Sequence, residues 1–212
     1  LTENTIVVYY SDHGDMFSYR GSDHKFTCHE DSIKIPMIFR WPKSIEAGLV
    51  IDQFIGLQDL MPTVLDWAGL AIPDYLHGRS ITPLLKGESV SWREAYYTQN
   101  ITRGPFIEQR CIRTNEWKLI LTRPVSSLRG YMGNHELYDL INDPEEELNL
   151  YETPRTDGHN QYLHFPPYTN VIAELARLLK HHAQEINDSL GEDLADLCLL
   201  EMEKRGKTKP GL

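Results

Sequence analysis

Apolar residues follow one another without polar alternation in residues 5–10, "TIVVYY". A run of β-branched and aromatic residues of this kind is typical of a strand covered on both faces in a parallel sheet. Residues 33–42, "IKIPMIFRWP", predict a second short strand that ends at Pro42. Residues 57–69 place their apolar side chains on one face of a helix that ends at Gly69. Strand, loop, strand and helix in this order predict an α/β layer.

From about residue 90 the pattern changes to short β-like runs separated by polar turns. The second and third runs are separated by Asn115 and Glu116, which predicts a tight hairpin between them. An amphipathic stripe predicts a long helix over residues 169–186, and a shorter helix is predicted around residues 192–203. The four β-like runs are residues 93–99, 108–114, 117–122 and 135–140. An antiparallel sheet is the simplest interpretation of these runs.

The two patterns together define the predicted fold class. It is α/β: the C-terminal part of a mostly parallel sheet with flanking helices, followed by a small four-stranded antiparallel sheet packed with a helix. The predicted domains are residues 1–90, the α/β part, and residues 91–212, a smaller α+β subdomain. Because the chain starts without Met and almost directly with a strand of buried character, we expect a cut through a larger protein. The expected partners are then the N-terminal remainder and, through the open sheet edge, further copies in an oligomer.

Composition narrows the classes of partner. The chain is 41% hydrophobic and 10% aromatic, as in an ordinary globular protein. Its net charge of -10 argues against a broad surface for nucleic acid, so any anionic substrate must be attracted locally. No run approaches the roughly 18 to 20 apolar residues of a membrane span. The three cysteines form no C-x-x-C pair, so neither a structural zinc site nor a disulfide framework is predicted.

Asp12 and His13 follow the first predicted strand directly, in "SDHG". In open parallel sheets, ligand sites gather at the carboxyl ends of the strands. Asp supplies a hard oxygen ligand and His a neutral nitrogen ligand, so the pair is a candidate half of a metal site. The alternative is that Asp12 caps the following turn and that His13 packs against the sheet edge.

Lys25 lies twelve residues after His13 and before the next predicted strand, so the loop can bring its ammonium to the same sheet edge. A metal ion and a lysine together neutralise the charge that grows on a tetrahedral oxyanion during group transfer. Lys25 is therefore a candidate catalytic and substrate-binding residue. The alternative is a solvated surface lysine.

Three further residues are candidates for contact with a substrate. His24 could donate a proton to a leaving alkoxide, because imidazole titrates near neutral pH. His77 and Arg79, in "LHGRS", could reach a sugar or a sulfate group. The alternatives are a solvated loop histidine at residue 24 and, at residues 77–79, a turn whose arginine pairs with an acid.

The order of the motifs along the chain carries a family resemblance. It runs from "ENTIVVYYSDHGDM" through Lys25, "HEDSIKIPMIFRWP", "IGLQDLMPTVLDWAGL" and "LHGRSITPLLKGE" to "CIRTNEWKLIL" and "ELYDLINDPEEELNL". Over residues 1 to about 151, the chain resembles the C-terminal half of a formylglycine-dependent sulfatase of the alkaline phosphatase superfamily. The resemblance implies that Asp12 and His13 match the family's second pair of metal ligands, usually to Ca²⁺. It also implies that Lys25 matches the lysine that contacts the sulfate.

The chain departs from the family pattern at several positions. Arg20 stands where many members carry His, His29 replaces an aromatic residue, and Asp31 replaces Glu. The family's nucleophile is a formylglycine made from the Cys or Ser of an N-terminal C-x-P-x-R or S-x-P-x-R motif. None of the cysteines and none of the serines has that context. Residues 1–212 alone are therefore expected to be inactive.

The resemblance implies a sulfuric ester hydrolase whose expected substrate is a sulfated small molecule or carbohydrate. Two alternatives remain open: a phosphodiesterase or phosphonate monoester hydrolase of the same superfamily, and a noncatalytic domain for assembly or for gripping a substrate. Members of the family are commonly exported, to the periplasm or outside the cell, or lysosomal. The chain itself contains no segment that predicts its compartment.

Overall fold

A computed structural model describes residues 2–18, 25–101, 107–124, 135–151 and 168–207. Contacts divide the chain into two compact units, Leu1–Gly14 with Lys34–Glu94 and Asp15–Ile33 with Ala95–Leu212. The predicted domain division at residue 90 stays a prediction. In chain order, the described strands and helices are β1 (Val7–Tyr10), α1 (Glu30–Ile33), β2 (Met37–Arg40), α2 (Leu60–Trp67), α3 (Thr82–Leu85), β3 (Tyr96–Ile101), β4 (Ile107–Arg113), β5 (Trp117–Pro124), β6 (Glu136–Asp139), α4 (Thr169–Glu185) and α5 (Ser189–Lys207).

In the first unit, β1 and β2 pair antiparallel, with Val7 opposite Arg40 and Tyr10 opposite Met37. The expected parallel arrangement is not found for this pair. Nor is β1 covered on both faces, because Val7 and Tyr9 are 47% and 61% exposed. A continuous apolar run indicates that a strand favours burial, but it specifies neither the direction of the neighbouring strand nor what covers each face.

Asp59 organises the chain around α2. Its buried carboxylate accepts hydrogen bonds from the backbone N–H groups of Gly56 and Arg79, each at 2.9 Å. The guanidinium of Arg93 donates two more, at 2.5 and 2.8 Å. Because a buried carboxylate is costly unless it is paired and hydrogen-bonded, these contacts tie three separate stretches of the first unit together.

The second unit contains the predicted four-stranded antiparallel sheet, in the order β3-β4-β5-β6. A tight turn joins β4 and β5, and there the backbone N–H of Thr114 donates to the carbonyl of Trp117 at 2.8 Å. The register places Gln109 opposite Thr122 and Cys111 opposite Ile120. The predicted four runs and the predicted hairpin are confirmed.

The side chains of this sheet alternate between two faces of different character. The face towards α4 and α5 is mainly apolar and includes Ile112, Leu119 and Leu121, which form one hydrophobic core with both helices, but it also carries the buried Arg110. The opposite face carries the buried polar residues Gln109 and Lys118. It is covered by the stretch of chain around Cys28, which packs in a smaller cluster that includes Cys111 and Ile120. The sheet therefore lies between a pair of helices and an irregular segment.

The described residues confirm an α/β fold class with a four-stranded antiparallel sheet packed with helices. The long helix predicted over residues 169–186 corresponds to α4, and the shorter one to the middle of α5. Within the described part of the chain, no helix has both the length and the apolar character needed to cross a membrane.

Asp188, between α4 and α5, joins the helical layer to the sheet. Its buried carboxylate accepts hydrogen bonds from the Arg110 guanidinium, from Tyr97 Oη at 2.7 Å and from Gln99 Nε2 at 2.6 Å. Burial on its own raises the pKa of Asp188, but the hydrogen bonds from Arg110, Tyr97 and Gln99 outweigh burial and lower that pKa below its ordinary value. The backbone N–H of Gly191 donates to the same carboxylate at 3.3 Å. Asp188 therefore stays ionised and fixes the start of α5 against the sheet.

We expect Asp188→Ala to lower the free energy of unfolding by about 3 to 5 kcal/mol, because it leaves the Arg110 guanidinium buried without its partner. Urea denaturation at neutral pH measures this loss. The control is Asp196→Ala, which removes the half-exposed partner of Lys180 and is expected to cost less than about 1 kcal/mol. Equal losses for the two variants would contradict the assignment of Asp188 as the link.

Candidate functional site

Asp12 and His13 lie directly after β1, as the sequence predicts. His13 Nδ1 is 2.6 Å from the carbonyl oxygen of Gly14. Because a carbonyl oxygen only accepts, the proton of a neutral imidazole lies on Nδ1 and the lone pair lies on Nε2. Nε2 is 3.4 Å from Asp12 Oδ2, and the Asp12 side chain is largely exposed. An imidazole nitrogen and a carboxylate oxygen therefore face each other at the end of the strand.

This arrangement fits a divalent metal ion by its donor chemistry. A carboxylate oxygen and a neutral imidazole nitrogen are common metal ligands, and a ligating histidine usually donates its other ring N–H to a carbonyl, as His13 does to Gly14. Two side chains do not complete a coordination sphere. Within the described ranges, no group of three or more His, Cys, Asp or Glu side chains is placed to hold a metal ion. A metal at Asp12 and His13 would need further ligands.

Lys25 is exposed and belongs to the second unit, whereas Asp12 and His13 belong to the first. The convergence of Lys25 with Asp12 and His13 in one pocket stays a prediction. His24 and Arg20 lie outside the described residues.

His77 and Arg79 are exposed, and the backbone around them is tightly fixed. A Cβ atom at Gly78 would lie 1.9 Å from the carbonyl oxygen of Gln58, so only glycine fits this close approach. The backbone N–H of Arg79 donates to Asp59, which gives this turn a structural role. A role for the side chains of His77 and Arg79 towards a sugar or sulfate stays a prediction.

Sequence reasoning missed how the stretch that carries Lys25 is held. We call residues 25–33 the lysine segment. Three backbone atoms of this segment bond to side chains of the sheet: Asn100 Nδ2 donates to the Phe26 carbonyl at 2.7 Å, Cys28 N–H donates to Gln109 Oε1 at 3.0 Å, and Lys118 Nζ donates to the Cys28 carbonyl at 3.2 Å. The backbone N–H of Glu30 also donates to Glu146 Oε2, at 2.8 Å. The backbone of residues 26–30 is therefore held by side chains from the sheet and from the loop after β6.

Lys118 is the central residue of these contacts and is completely buried. Its Nζ lies 2.6 Å from Glu30 Oε1 and 2.5 Å from Glu146 Oε1. Burial on its own lowers the pKa of Lys118, but the neighbouring Cys111, Glu30 and Glu146 outweigh burial, so this pKa is raised above its ordinary value. Arg113 also pairs with Glu30, at 3.0 Å. Lys118 therefore carries a positive charge that two carboxylates neutralise.

His29 adds a second buried polar contact to the lysine segment. Its Nε2 lies 2.9 Å from Glu136 Oε2 and 3.2 Å from Tyr138 Oη, while its buried Nδ1 has no hydrogen-bond partner among the described residues. Because a carboxylate accepts, Nε2 carries the proton of the neutral ring. The imidazole packs edge-on against the Tyr138 ring, with 5.7 Å between ring centroids. His29 thus packs where the resemblance implied an aromatic residue and also forms hydrogen bonds.

A signal for these contacts is present in the sequence. In β5, Lys118, Ile120 and Thr122 alternate with the apolar residues Leu119 and Leu121. Because Leu119 and Leu121 face the helices, the alternation places Lys118 on the opposite face. The alternation alone does not show that this second face is also buried, since polar residues in a strand usually face solvent.

We expect Lys118→Met to lower the free energy of unfolding by about 3 to 5 kcal/mol, because Glu30 and Glu146 would then be buried without their shared cation. The combined variant Lys118→Met with Glu146→Gln is expected to recover much of this loss, since Arg113 still pairs with Glu30. Urea denaturation of the two variants and the parent chain measures the difference. A single variant as stable as the combined one would show that Lys118 is not needed for charge balance.

Comparisons with known proteins identify the family. A family model described as N-sulphoglucosamine sulphohydrolase, C-terminal, matches residues 19–166. An ulvan-active sulfatase of Formosa agariphila is 33% identical over 181 residues, which cover 73% of this chain and 34% of that protein. An N-acetylglucosamine-6-O-sulfatase of Bacteroides thetaiotaomicron is 32% identical over 155 residues, which cover 70% of this chain and 27% of that protein.

One solved structure shows a protein in complex with its substrate, D-glucosamine-2-N,6-O-disulfate. This structure is similar to the present chain, with a TM-score of 0.72 and 28% sequence identity, over 88% of this chain and 35% of that one. The chain spans 27% and 34% of the two curated relatives above. These matches confirm the resemblance to the sulfatases. The family model matches more than half of the residues of this chain. The chain therefore belongs to the C-terminal family of the N-sulphoglucosamine sulphohydrolases.

Proposed function

We propose that a protein containing this chain hydrolyses sulfate esters of carbohydrates. The observation that carries the proposal is the likeness to a solved structure that holds a sulfated glucosamine as its substrate. The curated relative named as an N-acetylglucosamine-6-O-sulfatase supports the same substrate class. A sulfated sugar presents a tetrahedral anionic group, and its binding requires positive charge at the site.

Lys25 is the residue that we assign to the sulfate group. The chain has a net charge of -10, so an anion gains favourable electrostatic energy only where a positive charge is local. The Lys25 side chain is exposed, while the backbone that follows it is held by buried polar contacts. In the proposed reaction, its ammonium contacts the sulfate and stabilises the charge that develops on the oxygen towards the leaving group.

Asp12 and His13 are the residues that we assign to a divalent metal ion, which the sulfatase resemblance implies is Ca²⁺. The Asp12 carboxylate would supply an oxygen ligand and His13 Nε2 a nitrogen ligand, while the Gly14 carbonyl orients the His13 ring. When bound, such an ion polarises the sulfate oxygens and neutralises part of their charge. Its remaining ligands would come from residues other than these two.

The nucleophile of the proposed reaction lies outside the residues assigned so far. All three cysteines, Cys28, Cys111 and Cys198, are buried, and none lies in a C-x-P-x-R context. The formylglycine that the sulfatase resemblance implies therefore has no matching position in these 212 residues. The proposal requires a formylglycine from another segment, and roles for His24, His77 and Arg79 remain predictions.

We expect the complete protein to hydrolyse aryl sulfates and sulfated glucosamine faster than aryl phosphate diesters, because the relatives are sulfatases. In the same assay, Lys25→Ala is expected to lower kcat/KM by about 100- to 1000-fold, as removal of one charge-stabilising donor does in other enzymes. The control is Lys34→Ala, which removes another exposed lysine.

Each contrary result of this assay points to a specific alternative. Preference for the phosphate diester would favour the phosphodiesterase or phosphonate hydrolase alternative. No turnover of either class would favour a noncatalytic domain. Near-normal turnover by Lys25→Ala would remove Lys25 from the site.

We expect chelation of divalent ions to abolish hydrolysis and added Ca²⁺ to restore it. Calorimetry with Ca²⁺ is expected to give weaker binding for Asp12→Asn than for the parent protein, because an amide carries no negative charge. Asp15→Asn is the control, since the Asp15 carboxylate accepts a hydrogen bond from the Phe17 backbone N–H. Unchanged calcium affinity in Asp12→Asn would exclude Asp12 as a ligand.

A further inference from the structure

Side chains on the sheet face opposite α4 and α5 form hydrogen bonds with the backbone of the lysine segment. Asn100, Gln109 and Lys118, from β3, β4 and β5, each bond to a main-chain atom of residues 26–28. Residues on β6 and after it bind the His29 ring and the Glu30 backbone. All of these partners lie within the second unit. Four of the five residues that follow Lys25, namely Phe26, Cys28, His29 and Glu30, are therefore anchored by side chains distant in sequence.

We propose that Lys118 is a positioning residue for the sulfatase reaction: its ammonium fixes residues 26–30 and thereby holds Lys25 where a sulfate group binds. This inference rests on the proposed function. Lys118 is completely buried and acts through Lys25 rather than by touching the substrate.

The geometry gives Lys118 a role that a neutral side chain cannot fill. One ammonium donates to the Cys28 carbonyl, three residues after Lys25, and pairs with the carboxylates of Glu30 and Glu146. Glu146 in turn accepts the backbone N–H of Glu30. Without the cation, the carboxylates of Glu30 and Glu146 would repel each other, and the Cys28 carbonyl would lose its donor. The backbone next to Lys25 would then lose one of its anchors and shift relative to the sheet.

The effect is expected to be local because the main hydrophobic core lies on the other face of the sheet. That core contains Ile112, Leu119 and Leu121 with residues of α4 and α5, and it includes no residue of the lysine segment. A displacement of about 1 Å at a reacting group can cost about 100-fold in rate. A small shift of the lysine segment can therefore change catalysis while the sheet and its helices stay folded.

The test uses a variant that keeps the buried charges balanced. Lys118→Met with Glu146→Gln removes one cation and one anion, and Arg113 still neutralises Glu30. The matched control is Lys180→Met with Asp196→Asn, which removes another lysine–carboxylate pair, at 2.7 Å between α4 and α5. Each double variant is made in the complete protein, once alone and once together with Lys25→Ala. The measured quantity is kcat/KM for an aryl sulfate.

We expect the Lys118 pair variant to lower kcat/KM by about 100-fold and the control pair to leave it unchanged. In the Lys25→Ala background the Lys118 pair variant is expected to cause no further loss, because it acts through Lys25. A purely structural role would lower activity by the same factor in both backgrounds and would overturn the proposal, as would an unchanged kcat/KM.

Hydrogen exchange provides a readout that does not depend on catalysis. The Lys118 pair variant is expected to speed amide exchange in residues 26–30 by about 10-fold or more, while amides of α4 and α5 are unchanged. Equal exchange in variant and parent would overturn the anchoring. If the parent protein hydrolyses no sulfate ester, the proposed function fails, and exchange still decides whether Lys118 anchors the segment.

Asn100→Asp provides a second test if the double variant Lys118→Met with Glu146→Gln does not fold. In the parent protein, Asn100 Nδ2 donates to the Phe26 carbonyl at 2.7 Å, at the partly exposed end of residues 26–30. The substitution replaces this donor with a carboxylate oxygen, which cannot donate. We expect a smaller loss of kcat/KM, about 10-fold, that again disappears in the Lys25→Ala background. Equal losses with and without Lys25, or no loss, would contradict positioning by the sheet.

Discussion

The neutralisation of one buried ammonium, that of Lys118, determines how the lysine segment meets the sheet. An unpaired charge in a protein interior costs several kcal/mol, so this lysine is tolerated only where carboxylates and a carbonyl surround it. Glu30 and the Cys28 carbonyl come from the segment, and Glu146 comes from the loop after β6. All three contacts form together while the segment lies against the sheet. Charge pairing by Lys118 therefore restricts the position of the backbone next to Lys25, the proposed sulfate-binding residue.

The antiparallel sheet joins two layers that are held by different forces. On one face, apolar side chains pack with α4 and α5, which is non-directional burial. On the other face, hydrogen bonds and ion pairs hold the lysine segment, and these contacts have defined distances and directions. Asp188 reinforces the first layer by fixing the turn between the helices to Arg110. The sheet can therefore hold the lysine segment on one face while the helices pack on the other.

Local patterns predicted what is set locally. The four strands, the hairpin at Asn115 and Glu116, and α4 follow from residue alternation, turn residues and a helical stripe, and each is confirmed. The adjacency of Asp12 and His13 follows from the covalent chain. The antiparallel direction of β1 and β2 was not predicted, because an apolar run carries no information on strand direction. The contact between Lys118 and Cys28 was missed because the two residues are 90 positions apart, and no local pattern pairs them.

The proposed metal ligands and the proposed sulfate ligand are therefore positioned in different ways. Asp12 and His13 are neighbours in the chain, and a hydrogen bond to the Gly14 carbonyl orients the imidazole. For Lys25, side chains of the sheet bond to the backbone that follows it, at Phe26 and Cys28. Anchoring this backbone lowers the entropic cost of binding a sulfate group, because the backbone torsions next to Lys25 are already ordered. A ligand held by a network of distant residues is consequently the part of the site most sensitive to changes that never touch the substrate.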